Sequence, residues 1–136
     1  MLALTSLTLA TLAGCTSARD TLGTSASSCF EALAVAGNAV HHQGTFAGVR
    51  SVSFSSVSAD VHLGNAPSTT TALSKHNVCV VSYHGLFNVN QVEKPLGPAP
   101  PGGLGHYAIV IVSTPQNHLV GTVIRLTQPL RFDHPV

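Results

Sequence analysis

The sequence predicts an α+β fold in which one N-terminal helix packs on a three- to four-stranded antiparallel sheet. Three observations carry that expectation. Only one stretch, between Phe30 and Val40, repeats its apolar residues at helical spacing. Downstream of it the Val-rich runs alternate with period two or are continuously apolar, as strands are. Between two of those runs, Lys94–Gly105 (KPLGPAPPGGLG) holds four prolines and four glycines, which deny it both a helix and a regular ladder.

Taken in order, the helix is expected first. Ser28 stands three residues before Glu31, the spacing at which each side chain satisfies the other's orphan backbone N–H. Phe30, Leu33, Ala34, Gly37 and Val40 fall on one face, and Gly44 supplies a C-cap. His41 and His42 lie in the last turn, where the helix dipole favours positive charge. Arg50, Val52 and Phe54 then alternate with serines as a half-buried strand. The phase slips at Ser55-Ser56, because Val57, Ala59, Val61 and Leu63 take the opposite parity, so a bulge or turn is expected there. Gly64–Ser74 has the composition of a loop. Val78–Phe87 is the next strand, with Val78, Val80, Ser82 and His84 on one face and Cys79, Val81 and Tyr83 on the other. Tyr107–Ser113 (YAIVIVS) reads as a central strand covered on both faces. It forms a hairpin with His118–Leu126 across a turn containing Pro115, and the tail from Thr127 is irregular.

Composition narrows the function classes. Charged residues make up 8% of the chain and apolar ones 44%, against about 25% charged in ordinary soluble domains. The six cationic residues (Arg19, Arg50, Lys75, Lys94, Arg125 and Arg131) are scattered, and Trp is absent. Nucleic-acid binding draws on clustered cations and stacking platforms, so no nucleic-acid partner is expected.

Ahead of the helix, Leu2–Leu12 (LALTSLTLATL) is an uncharged apolar and Thr/Ser run, shorter than the roughly 20 residues that span a bilayer. Leu12-Ala13-Gly14-Cys15 follows directly. This resembles the lipobox of bacterial lipoprotein precursors: an aliphatic residue, two small residues, then the cysteine that is lipidated. The n-region is only Met1-Leu2, with the α-amino group as its sole positive charge. The resemblance implies a signal peptide over 1–14, lipidation of Cys15, and a chain held to an envelope membrane through that lipid. Ordinary signal cleavage and secretion is the alternative. The Ser/Thr/Ala-rich stretch 15–28 reads as a flexible tether, and 29–136 as a single domain.

With Cys15 lipidated, Cys29 and Cys79 remain of the three cysteines. An even pair in an exported domain is most simply a disulfide. The alternative is two buried thiols, with Cys79 acting as a small hydrophobe in its strand.

Eight histidines among so few charges stand out. Metal binding by His41, His84 and His106 is the alternative they raise, although no H-x-x-x-H, H-E-x-x-H or C-x-x-C spacing supports it. Adjacent His41 and His42 point about 100° apart on a helix and do not chelate one ion together. A small hydrolase is the second alternative, but no G-x-S-x-G occurs and the Asp133-His134 pair lies in the tail. No cofactor and no catalytic residue is expected. The element order loosely resembles small exported domains of the PepSY or cystatin-like kind, which implies protein binding rather than catalysis. The expectation is therefore a non-enzymatic envelope lipoprotein whose domain binds another envelope protein or a small ligand.

Overall fold

The computed structural model describes residues 29–60, 76–114 and 116–128. The expected signal peptide, Cys15, the tether, Ser28, the Gly64–Ser74 loop, Pro115 and the tail from residue 129 lie outside the described residues. Within them the order is α1 (Ala32–Ala39), β1 (Thr45–Ser53), α2 (Phe54–Asp60), β2 (Asn77–Asn88), β3 (Leu104–Ser113) and β4 (His118–Arg125). The four strands form one antiparallel sheet in the order β1-β2-β3-β4, each beside its neighbour in sequence. The fold is α+β, as the sequence predicts.

Alternation sorts the sheet into two faces. Cys79 and Val81 of β2, Ala108, Val110 and Val112 of β3, and Ile124 of β4 point toward α1 and form one buried cluster. Val78, Val80, Ile109, Ile111 and Val123 point the other way and form a second. β2 and β3 are central and apolar on both faces because both faces are covered. On the second face the described cover includes Phe54 and Val57 from α2, with Leu96 packed alongside.

That second helix corrects one expectation. The change of phase near Ser55-Ser56 is neither a bulge nor a turn between strands but the step from β1 into α2. Phe54 and Val57, three residues apart, share one helical face and are both buried. The Phe54 N–H donates to the carbonyl of His76 at 3.0 Å, which ties the start of α2 to the start of β2.

The helix α1 also differs from its expected form. Glu31 is itself the N-cap and makes no capping bond with its side chain. Its carboxylate instead accepts from Asn117 Nδ2 at 3.2 Å, reaching the β3–β4 turn. The buried residues are Ala32, Ala36, Gly37, Ala39 and Val40, while Ala34 is exposed, so the helix is rotated about one residue from the expected face. The cause is covalent. Cys29 and Cys79 are joined by a disulfide and both are fully buried. With Cys29 fixed on the sheet, the positions stacked above it along the helix (32, 36 and 39–40) must face inward. Three of them are alanine, which lets the helix backbone lie close to the strands.

The C-terminus of α1 is closed by histidine rather than glycine. The His41 N–H donates to Asn38 O at 2.9 Å and the His42 N–H to Gly37 O at 2.8 Å, the paired bonds of a Schellman cap. His41 takes the left-handed conformation (φ 53°) that glycine usually fills there. Gly44, expected as the cap, instead turns the chain into β1 with φ 77°, and a Cβ there would meet the Phe87 ring and the His84 carbonyl.

Part of the Pro/Gly stretch is ordered against the sheet. Pro95 makes a parallel bridge to Thr122, with the Thr122 N–H donating to Lys94 O (2.9 Å) and the Leu96 N–H to Thr122 O (2.8 Å). β3 begins inside the stretch, at Leu104.

Bridging residues 50 apart in sequence should stabilise the fold by about 4 kcal/mol through the lost entropy of the unfolded chain. The double variant Cys29→Ala/Cys79→Ala is expected to lose that amount in urea unfolding of the full chain. A loss below about 1 kcal/mol would mean the bridge constrains little.

Candidate functional site

Register brings a distinct set of residues to one end of the sheet. Thr45 pairs with His84, His84 with Tyr107, and Tyr107 with Arg125, so the start of β1, the end of β2, the start of β3 and the end of β4 coincide. Four large apolar side chains are exposed among the described residues: Phe46 (50%), Leu86 (66%), Leu104 (43%) and Leu126 (51%). All four stand at this end. Leu104 pairs by register with Asn88, and Leu126 follows the Tyr107–Arg125 pair by one residue. Scattered exposed leucines need no explanation, but four gathered at one pole of a small domain do.

Aromatic pairs fix the edges of this surface on both faces of the sheet. Phe46 meets Tyr83 edge to face, with ring centroids 6.3 Å apart and an interplanar angle of 78°. Across the strand, His84 lies tilted against Tyr107 at 5.0 Å. Tyr83 and His84 are consecutive in β2, so the two pairs project to opposite sides. Two irregularities of register shape the same end, between Phe46 and Gly48 and between His84 and Phe87. The second turns Leu86 outward while Phe87 remains fully buried.

Gly37 of α1 makes room on the helix side. A Cβ there would lie 3.3 Å from His42 Nδ1 and 3.7 Å from the Tyr83 hydroxyl, so imidazole and phenol both rest over the glycine. Burial of its ring pushes the Tyr83 phenol above its ordinary pKa of 10.0, because ionisation would place charge in a poorly solvated position.

The histidines proposed as metal ligands are not brought together. His84 sits on β2 facing Tyr107, His106 is an exposed residue of β3, and His41 caps α1. Among the described residues no three His, Cys, Asp or Glu side chains come together as a metal site would require. His42 joins the surface instead, placed by the cap conformation, which spacing alone does not reveal. The serine hydroxyls that form bonds pair with one another or with backbone, as in Ser53 Oγ to Ser56 Oγ (2.8 Å) and Ser113 Oγ to His118 O (3.2 Å). Ser82 Oγ and Thr122 Oγ1 are buried without a partner. What the gathered end offers among the described residues is exposed apolar and aromatic area.

Comparison with known proteins finds no family model, no curated protein and no solved structure that matches the chain.

A raised tyrosine pKa means the folded chain keeps its proton to higher pH than the unfolded chain does. The contribution of Tyr83 to stability is therefore complete below pH 10.0 and lost as pH rises beyond it. Tyr83→Phe should lose less stability than the wild type over that alkaline window when urea unfolding is followed against pH. Identical slopes for the two proteins would show that the phenol is solvated.

Proposed function

We propose that this protein is a non-enzymatic binding module of a bacterial envelope, anchored by lipid on Cys15 and docking a protein partner at the exposed end of its sheet. The observation that carries the reading is the gathering of Phe46, Leu86, Leu104 and Leu126 at that end. Apolar and aromatic side chains rimmed by polar histidines have the make-up of a protein interface, where anchors of this kind supply most of the binding energy.

The direction of the chain supports the same reading. Cys29 enters the domain opposite Cys79, five residues up β2 from His84, or about 17 Å at strand rise. A lipid tether joined there holds the domain by one pole and leaves the other facing away from the anchor. The partner is accordingly a protein rather than the bilayer that holds the tether. Among the described residues no helix is long and apolar enough to cross a membrane, so the lipid on Cys15 is what this reading relies on for attachment.

Both halves are testable in cells with the full chain. Cys15→Ser should shift the protein out of the membrane fraction. A photoreactive residue in place of Leu86 should yield one discrete protein adduct, which is lost when Phe46→Ser is added although the fold and its Tm are unchanged. The same photoreactive residue at exposed Ser55 on α2 should give no such adduct. Membrane retention of Cys15→Ser would refute the anchor, and adducts to lipid alone would refute the docking role.

A further inference from the structure

Left open, the outer edge of β4 would be a weak point of this sheet. β4 (HLVGTVIR) is rich in β-branched residues, has no proline and carries one formal charge, at its last residue Arg125. A strand edge of that make-up is the template on which another chain adds a strand.

In the fold that edge is closed by the chain itself. Val92 is buried in the cluster on the α1 face, and the Glu93 N–H donates to Ala39 O at the end of α1 (2.9 Å). Leu96 packs with the cluster on the other face, so the segment crosses the edge of the sheet from one side to the other. On the way Lys94 O accepts from the Thr122 N–H and the Leu96 N–H donates to Thr122 O, which occupies both backbone groups of that residue. Lys94 Nζ donates to Leu119 O at 3.2 Å, and Pro95 has no N–H to offer outward. The register also shifts between Gly121 and Leu119, a bulge beside the covered residue. Proline, lysine, a bulge and a covering loop each blunt a sheet edge, and all four meet at this one.

The seat of the segment is specific. Gly121 has no side chain where Leu96 lies, and any Cβ there would collide with the leucine and crowd Lys94 O. A glycine inside a strand weakens it and often marks a close approach; here Leu96 is what approaches. The cover is also strained. Lys94 holds φ 44°, left-handed, directly before Pro95, whose ring favours extended backbone at the preceding residue. We propose that Lys94–Leu96 is an edge guard, a strained strap whose seat on Gly121 and Thr122 keeps β4 from accepting a strand of another molecule.

Guarding of this edge is independent of what the exposed end of the sheet docks. The full chain is compared with Gly121→Ala, which fills the seat, and with Leu96→Ser, which removes the occupant without altering β4. In both variants the amides of Leu96 and Thr122 should exchange at least about tenfold faster while those of Val110–Val112 keep the parent rate. Both should also sediment as larger species than the parent chain at equal concentration. Gly48→Ala on β1, where a Cβ meets nothing within 4 Å, should change neither readout. Parent-like exchange at Thr122 in both variants would show that the seat does not hold the strap. Faster exchange without added association would show that the strap guards nothing. Loss of protection in β3 together with β4 would make the segment part of the core instead. Any of these three results overturns the proposal.

Discussion

The disulfide between Cys29 and Cys79 is the constraint on which the rest of the architecture depends. It joins the residue just before α1 to a fully buried position of central strand β2. A helix of eight residues with a glycine in it has little stability of its own. Its order must come from what it is held against, and the bridge holds it there. The same bond fixes which side of the helix faces inward, and the alanines at 32, 36 and 39 make that side thin enough to lie close to Val81, Val110 and Val112. In a domain so poor in charge, covalent bracing and apolar burial carry the specification of the helix position.

From that fixed pole the other features follow in sequence along the strands. The helix runs toward the opposite end of the sheet and closes there through His41 and His42. Gly44 then turns tightly over Phe87 to begin β1. The register of four strands sets their near ends level, and the irregularities at Phe46–Gly48 and His84–Phe87 turn side chains outward where a regular ladder would alternate them. The domain therefore has one pole defined by the disulfide and another by exposed apolar and aromatic groups. Its two edges are likewise unequal, one covered by Lys94–Leu96 and one formed by β1.

Much of this was legible before any coordinates. β2, β3 and β4 announce themselves by β-branched runs bounded by turn residues, and the parity of Cys79, Val81 and Tyr83 against Val78 and Val80 is the parity observed. The cysteine pairing followed from number and from the expectation of an exported chain. What escaped was decided by geometry that a one-dimensional pattern does not hold. Phe54 and Val57 satisfy a helical period, while Val57, Ala59 and Val61 satisfy a strand period, and the chain resolves the conflict in favour of α2. The rotation of α1 is imposed from outside it by the bridge. The apolar end is least legible of all, because Phe46, Leu86, Leu104 and Leu126 are far apart in sequence and come to one end of the sheet only through register. The tight glycines, Gly37 and Gly44, were visible as glycines but not as the space that His42, Tyr83 and Phe87 use.

Amide hydrogen exchange of the full chain, oxidised and then reduced, tests the central claim most directly. In the oxidised protein the slowest amides should lie in β2 and β3, with those of Ala36–Ala39 in α1 protected alongside them. On reduction the protection of α1 should fall first and furthest, while the amides of Val110–Val112 remain slow under conditions that keep the chain folded. If α1 kept its protection after reduction, or if sheet and helix lost it together without unfolding, the bridge would not be what holds the helix to the sheet.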